Sequence, residues 1–227
     1  MTGRERTLGR RRCLALALVA LAACEGGAQN PRSAVPVSTK AGSASATGLA
    51  MSPADHSGRI DWPVPAGWDH ESIPFPFDFA PSLPYRGVEE LRFAPGFYQP
   101  NQPGYWSYDI VWWLTEKPQF DSATIEAALT VDFRGFSLSV GRGKFRVEPS
   151  LYHAELVADG ASRQLTGQIR RVDAFTTGLP ITLNAVIAVR ECVKARRHAV
   201  TFMLSPRDRN DRIWRNLQAT AAGLVCE

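Results

Sequence analysis

One change in composition limits which part of this chain can fold. Residues 25–59 are rich in Gly, Ala, Ser, Thr and Pro and contain no aromatic side chain, so they cannot bury a hydrophobic core. The roughly 165 residues that follow are well supplied with aromatic residues and match the size of one domain. We therefore predict a flexible tether followed by a single folded domain over residues 61–227.

The chain begins with the pattern of an export signal. A basic segment that includes three consecutive arginines, residues 10–12, precedes an apolar run over residues 13–23. That run is about half the roughly 20 apolar residues that a membrane-spanning helix needs. It ends in Leu21-Ala22-Ala23-Cys24, which resembles the lipobox of bacterial lipoproteins. The resemblance implies that the chain is cut before Cys24 and that the Cys24 thiol is acylated.

The same resemblance predicts where the protein works. Glu25 follows the cysteine, whereas aspartate there is associated with inner-membrane retention, so the resemblance implies an outer-membrane anchor facing the periplasm if the cell has two membranes. Two or more acyl chains give lasting attachment. The alternative is an ordinary signal peptide cut near Ala23 with Cys24 left as a free thiol; the arginines leave the twin-arginine export route open. The predicted boundaries are a signal peptide over 1–23 and a lipidated cysteine with its tether over 24–60.

The charge balance argues against nucleic acid as a partner. Residues 1–23 contain five of the 26 basic and one of the 22 acidic residues, so the cleaved chain carries 21 of each and lacks the net basic charge that phosphate binding requires. The second half is nevertheless the more basic. It either complements the acidic first half within the domain or forms a patch for an anionic headgroup or glycan. The residues of that candidate patch are Arg190, Lys194, Arg196, Arg197, Arg207, Arg209, Arg212 and Arg215.

Two cysteines, Cys192 and Cys226, are left once the signal peptide and the lipidated residue are set aside. An even pair in an exported chain is typical of a disulfide, which we predict here; two buried free thiols are the alternative. No second pair at metal-ligand spacing accompanies them. The sequence therefore predicts neither a metal site nor a cofactor.

Alternation of apolar and polar residues predicts six strands. The first two form a hairpin with a long connection, and turn residues such as Asp159-Gly160 and Thr177-Gly178 separate the last four into an antiparallel meander. Ahead of them, prolines between residues 63 and 84 alternate with aromatics, which favours an extended segment laid over the core. The predicted strands cover residues 88–94, 105–114, 152–158, 165–172, 181–189 and 198–204.

Two helices complete the predicted fold. Asp121 is a candidate N-cap for a helix whose apolar residues recur at helical spacing from Ile125 to Val140, with Gly141 at its end. The Ser-Pro-Arg-Asp segment at 205–208 predicts a capping box that starts a C-terminal helix. The order ββαββββα gives an α+β fold, an antiparallel sheet of about six strands with two helices packed on it. This topology resembles the Mog1/PsbP-like sandwich.

Aromatic residues cluster around the second predicted strand. One of its faces, at the even positions 106–114, is expected to be core. Tyr105 and Trp113 belong to the other face, and Phe97 and Tyr98 lie in the preceding loop. Together they form a second apolar patch that either contacts a ligand or lies under the proline-rich segment. These four residues are our candidate ligand contacts.

No motif in the sequence fixes a reaction. It contains no Gly-x-Ser-x-Gly elbow, His-Glu-x-x-His pair or Walker loop. Glu89 and Glu90 are neighbours on one predicted strand, so they point to opposite faces and cannot form one acid–base pair. We therefore expect a non-catalytic binding or assembly module that meets an envelope protein, glycan or lipid. The alternatives are a carrier of a hydrophobic ligand, or a small hydrolase or transferase using Asp109, His153 or Glu90.

Overall fold

The structure, a computed structural model, describes residues 60–141, 144–145, 147–160 and 163–226, which contain seven strands, two α-helices and a short 3₁₀-helix at Pro149–Leu151. No helix in these ranges has the length and hydrophobicity to cross a membrane. Cys24, the predicted signal peptide and the tether as far as residue 59 lie outside the described residues. The elements are β1 (Asp69–Phe75), β2 (Gly87–Phe93), β3 (Tyr108–Leu114), α1 (Ser122–Gly141), β4 (His153–Asp159), β5 (Gln164–Val172), β6 (Pro180–Cys192), β7 (Arg197–Ser205) and α2 (Ile213–Ala222).

The strands form one antiparallel sheet in the order β1-β2-β3-β7-β6-β5-β4. The first three strands are neighbours in sequence order, and so are the last four, because antiparallel neighbours can be joined by short connections. The two groups meet where β3 pairs with β7. The α+β class, the antiparallel sheet with two helices and the β2–β3 hairpin are therefore confirmed.

The sheet has seven strands rather than the predicted six or so, because β1 was not predicted from the sequence. The prolines at 74 and 76 masked it, since proline cannot donate to a strand ladder and weakens any strand signal. β1 lies at the edge of the sheet and pairs only with β2, with Pro74 opposite Val88. An edge strand tolerates proline where the missing N–H would face away from the sheet. The order becomes βββαββββα.

Both faces of the sheet are covered, which explains why every residue of β3 is buried. The face that packs against α1, here called the first face, carries the even positions 108–114 of β3 in the main hydrophobic core. The second face carries Val111 and Trp113. It is covered by Trp62, Leu224 and the buried side of α2. The fold therefore has two cores separated by one sheet.

The first helix begins where the sequence predicts. The Asp121 carboxylate accepts a hydrogen bond from the Thr124 backbone N–H at 2.9 Å, as an N-cap does. Further along α1, Gly135 lies directly against the segment after β1: a Cβ built on it would stand 2.1 Å from the Phe79 carbonyl oxygen. Glycine at this position therefore allows the proline-rich segment to pack closely on the helix.

The second helix begins later than predicted, and the capping box at 205–208 is wrong. Ser205 is still in β7, where its hydroxyl lies 2.8 Å from that of Ser107 and accepts the Arg207 N–H. Its side chain is therefore already used across the sheet. The chain turns over the end of the sheet before α2 starts at Ile213, whose N–H bonds to the Asp211 carboxylate.

The predicted disulfide between Cys192 and Cys226 is present, with the two Cα atoms 4.7 Å apart. It joins the end of β6 to the residues that follow α2. Beside it, Asp61 and Val225 form an isolated β-bridge, and the Trp62 indole donates to the Thr220 carbonyl at 2.8 Å. Both ends of the described chain are thus fastened to the second face.

Candidate ligand-binding site

A cavity lies on the first face, between the sheet and α1. Its volume is about 40 Å³, which is room for a few water molecules or one small group and less than the roughly 300–1,000 Å³ of drug-sized ligand pockets. Strands β1, β2 and β3 line one side and α1 the other, with loop residues at the ends. Of the described residues that line it, eight are aromatic, three are aliphatic and four are ionisable. The wall is therefore mainly apolar with a few polar groups, as in small-molecule sites.

Three ionisable side chains of this wall are almost completely buried. Glu89 of β2 and Asp132 of α1 are each 3% exposed, and Arg171 of β5 is 2% exposed. Such residues are rarely buried unless they are paired. Because the three come from three different elements, the fold itself brings them together around the cavity.

The guanidinium of Arg171 is enclosed by aromatic rings but only partly hydrogen-bonded. Its central carbon lies 4.1 Å from the ring centre of Phe133 and 4.6 Å from that of Trp106, which are favourable cation–π distances. Nη1 donates to the Tyr108 hydroxyl at 3.3 Å. The buried Nε and Nη2 atoms have no hydrogen-bond partner. Leaving such donors unpaired is costly, on the order of several kcal/mol for a buried ion.

The two buried carboxyls differ from ordinary surface acids. The Glu89 carboxylate accepts a hydrogen bond from the Trp112 indole at 2.6 Å. Burial, reinforced by the charge of Asp132, raises the pKa of Glu89 well above its usual value. Burial also raises the pKa of Asp132 to about 7, although the positive charge of Arg171 acts to lower it. Near neutral pH the pair therefore carries fewer than two negative charges, and the cluster can accept another anion.

Trp106 reaches the cavity through an unusual backbone conformation. β3 begins at Tyr108, later than the predicted start at 105, because Ser107 N–H bonds to the Gly104 carbonyl in a turn. Within that turn Trp106 has φ of 50°, in the left-handed region that bulky residues rarely adopt. Strained backbone of this kind clusters at functional sites. Here it places the indole ring against Arg171.

The loop after β5 is held in place by one carboxylate. Asp173 accepts backbone N–H bonds from Phe175 and Thr177 and side-chain bonds from Thr176, Thr177 and Tyr105. Partial burial alone would raise the pKa of Asp173, but the hydrogen bonds from Thr176, Tyr105 and Thr177 outweigh it and hold that pKa well below its usual range. The ordered loop fixes Phe175, which lines the cavity.

The four candidate ligand contacts fall at different places. Phe97 lines the cavity, and Tyr98 is 44% exposed beside it, packing edge-on against Phe97 and Phe175. Tyr105 donates its hydroxyl to Asp173 at the loop that borders the cavity. Trp113 lies in the buried cluster of the second face. Three of the four are thus at or near the cavity, whereas Trp113 is on the opposite side of the sheet.

The carboxylates and histidine considered for a hydrolase or transferase do not form one bonded cluster. Asp109 is buried on the second face, where neither carboxyl oxygen has a hydrogen-bond partner, and burial raises its pKa well above the usual value. Glu90 forms an ion pair with Arg92 at 3.0 Å. His153 lies on β4 at the far edge of the sheet, beside Glu155. Glu90 and Asp109 lie on the same face of the neighbouring strands β2 and β3, but no hydrogen bond joins them, and His153 is four strands away from β3.

The basic residues predicted as one patch divide into two groups. Arg190, Lys194, Arg196 and Arg197 lie at or near the turn between β6 and β7, whereas Arg207 to Arg215 follow the other end of β7. A nine-residue strand is about 30 Å long, so the set is divided rather than continuous. Within the second group, the Arg209 guanidinium stacks on Trp214 at 4.1 Å.

Glu89, Asp132 and Arg171 were not among the predicted site residues, although the sequence pattern around Asp132 and Arg171 could have indicated them. Arg171 follows Leu165 and Ile169 on the inward face of β5, and Asp132 follows Ile125 and Leu129 on the inward face of α1. A polar residue at an apolar position of a periodic pattern is a usable sign of a functional site.

The arrangement is suited to binding a small group: apolar rings surround the cavity, and one cation with unpaired donors can orient a polar group. Within the described ranges, no group of three or more His, Cys, Asp or Glu side chains is placed to hold a metal ion. No family model, curated protein or solved structure matches this chain.

Proposed function

We propose that this chain is a lipid-anchored protein of the bacterial cell envelope whose folded domain binds a small apolar ligand between the sheet and α1. The segment ending at Cys24 supports the anchor. The observation that carries the binding role is the aromatic-walled cavity with the buried, incompletely bonded Arg171. A buried charge does not stabilise a hydrophobic core, because apolar residues of similar size would pack there with a smaller free-energy penalty.

The apolar wall of the cavity also favours the binding of a small hydrophobic ligand over the hydrolase or transferase. A carrier needs an internal apolar space, and eight aromatic residues line this one. Catalysis by Asp109, Glu90 or His153 needs at least two of them in one cleft. His153 lies four strands from β3, Glu90 is paired with Arg92, and Asp109 has no hydrogen-bond partner, which supports a non-catalytic role instead.

The binding role is tested by titrating the purified full chain with indole, a neutral aromatic probe, in an isothermal calorimeter. The heat from the same detergent without protein is subtracted. We expect saturable binding to the wild type and its loss in Leu91→Trp, which adds a ring to the cavity wall. Leu179→Trp, at a residue 63% exposed, is the matched control and should bind like the wild type.

The test does not depend on the stability of Leu91→Trp, because the result for the wild type alone can contradict the binding role. A folded wild type, checked by circular dichroism, that shows no saturable heat with indole contradicts the binding role. Equal binding by wild type and a folded Leu91→Trp variant would place the probe elsewhere and contradict the assignment of the cavity.

A further inference from the structure

The two most deeply buried arginines of the described chain are bonded very differently. Arg92, on the second face, donates from Nη2 to the Trp62 carbonyl at 2.6 Å and from Nη1 to Glu90 and the Leu91 carbonyl. Its Nε also faces a carbonyl, that of Pro63, at 3.5 Å. Every nitrogen of Arg92 is thus satisfied by the protein, whereas two nitrogens of Arg171 are not.

The two unpaired nitrogens of Arg171 form one edge of its guanidinium. In the planar group, the Nε–H and one Nη2–H point in the same direction, a fork whose spacing matches the two oxygens of a carboxylate. The remaining terminal nitrogen is engaged with Tyr108, and the rings of Phe133 and Trp106 cover the guanidinium. The Nε–Nη2 edge is therefore the part of the guanidinium that is free to bind a ligand.

No carboxylate among the described residues takes this edge. Glu89 and Asp132 line the same cavity, yet neither accepts a hydrogen bond from Nε or Nη2 of Arg171. Glu89 is committed instead to the Trp112 indole at 2.6 Å. The Nε and Nη2 donors of Arg171 are buried, and neither of the two nearby carboxyl groups accepts a hydrogen bond from them. This geometry points to an acceptor from outside the chain.

Resting on the binding role proposed above, we propose that the ligand carries a single carboxylate, held in a bidentate pair by Nε and Nη2 of Arg171, with its apolar body among the aromatic rings. A phosphate ester fits less well, because its second negative charge and additional oxygens would need more donors than one fork offers. The nearby acidic side chains would also repel a dianion more strongly than a carboxylate.

The acidic neighbours make this pairing depend on pH. Asp132 is faced by Glu89 from β2, Tyr108 from β3 and Arg171 from β5, with Glu71 of β1 also on the cavity wall. An incoming anion favours the protonated form of Asp132, whose pKa burial raises to about 7. Binding therefore takes up a proton, and the carboxylate binds more tightly at pH 6 than at pH 8.

The test compares phenylacetate with phenylacetamide, which has the same shape and no charge, on the full chain by isothermal titration calorimetry. Charged hydrogen bonds predict that phenylacetate binds about ten- to a hundredfold more tightly at pH 6. In Arg171→Met the preference should vanish while phenylacetamide still binds. In Arg171→Lys, a point charge without a fork, it should fall. Arg209→Lys, an exposed arginine stacked on Trp214, is the control and should keep the preference.

Failure of this proposal is distinguishable from failure of the binding role. A wild type that binds phenylacetamide or indole but shows no preference for phenylacetate overturns the carboxylate assignment and leaves the cavity as a binding site. A wild type that binds none of the three overturns both. The comparison of the two ligands on the wild type decides the matter even if the Arg171→Met chain does not fold.

Discussion

Glu89, Asp132 and Arg171 occupy positions that the pattern around them reserves for apolar residues. Two residues before Arg171 on β5 is Ile169, and three before Asp132 on α1 is Leu129, both fully buried. Each ionisable group there lowers stability relative to an apolar residue of similar size. Their presence despite this penalty is consistent with the proposed binding role.

The buried acid on α1 predicts an unusual dependence of stability on pH. The folded chain retains a proton on Asp132 up to about pH 7, whereas the unfolded chain loses it near pH 4. The free energy of unfolding should therefore fall as pH rises from about 4.5 to 7, by up to about 1.4 kcal/mol per pH unit for this group. Urea unfolding followed by tryptophan fluorescence measures it.

The matched variants are Asp132→Asn and Glu116→Gln, the latter at an exposed acid. Asp132→Asn should flatten the profile, while Glu89 and Asp109, whose pKa values burial also raises, retain the rest of the slope. Glu116→Gln should leave the profile as it is. An Asp132→Asn profile as steep as that of the wild type would contradict the assignment of a raised pKa to this carboxyl.

The sequence pointed to part of the candidate site only. Phe97 and Tyr98 stand out as aromatics in a loop rich in Pro and Gly; Phe97 lines the cavity, and Tyr98 packs beside it against Phe97 and Phe175. Glu89, Asp132 and Arg171 lie far apart in the chain, and their proximity depends on which strands become neighbours. Apolar periodicity identifies which face of each element is inward but not which inward residues meet.

Elements with regular periodicity were predicted correctly, and those that depend on local exceptions were not. The alternation over 181–189 and 198–204 predicted β6 and β7, and the Asp121 cap predicted the start of α1. β1 was missed because an edge strand accepts prolines, and the start of α2 was misplaced because Ser205 bonds across the sheet. These outcomes depend on tertiary contacts that local sequence does not reveal.

A single glycine determines how α1 meets the segment after β1. Alanine normally stabilises a helix by about 1 kcal/mol relative to glycine, but a Cβ at Gly135 would lie 2.1 Å from the Phe79 carbonyl oxygen. Gly135→Ala should therefore destabilise the fold, by about 1–3 kcal/mol as overpacking does. It should also weaken indole binding, since Phe79 lines the cavity. Chemical denaturation and calorimetry measure the two effects.

The control for this change is Gly160→Ala, because a Cβ there meets nothing within 4 Å. Its free energy of unfolding should stay within about 0.5 kcal/mol of the wild type, as for most surface substitutions. If Gly135→Ala were as stable as the wild type or more stable, the close packing of residue 79 on α1 would be refuted.

At the scale of the whole molecule, the proposed anchor at Cys24 and the proposed binding domain lie in different parts of the chain. Attachment and ligand binding would thus depend on separate parts of the chain. A variant that loses one should keep the other.

The anchor is tested by fractionating cells that express single cysteine variants. Cys24→Ser should move the protein from the membrane to the aqueous fraction, because the acylated thiol is lost. Cys13→Ser is the matched control, since residue 13 lies within the predicted signal peptide, and should remain with the membrane. Intact-mass analysis of wild-type protein should show added acyl groups. Membrane retention of Cys24→Ser, with no acyl mass on the wild type, would refute the anchor.

The bridge between Asp61 and Val225, beside the bond from Cys192 to Cys226, has a mechanical consequence. A pull applied at residue 60 would first load the Asp61–Val225 bridge, whose far side is joined covalently to β6 through Cys226. Until that bridge opened, the load would be shared between β6 and the backbone that leads into β1.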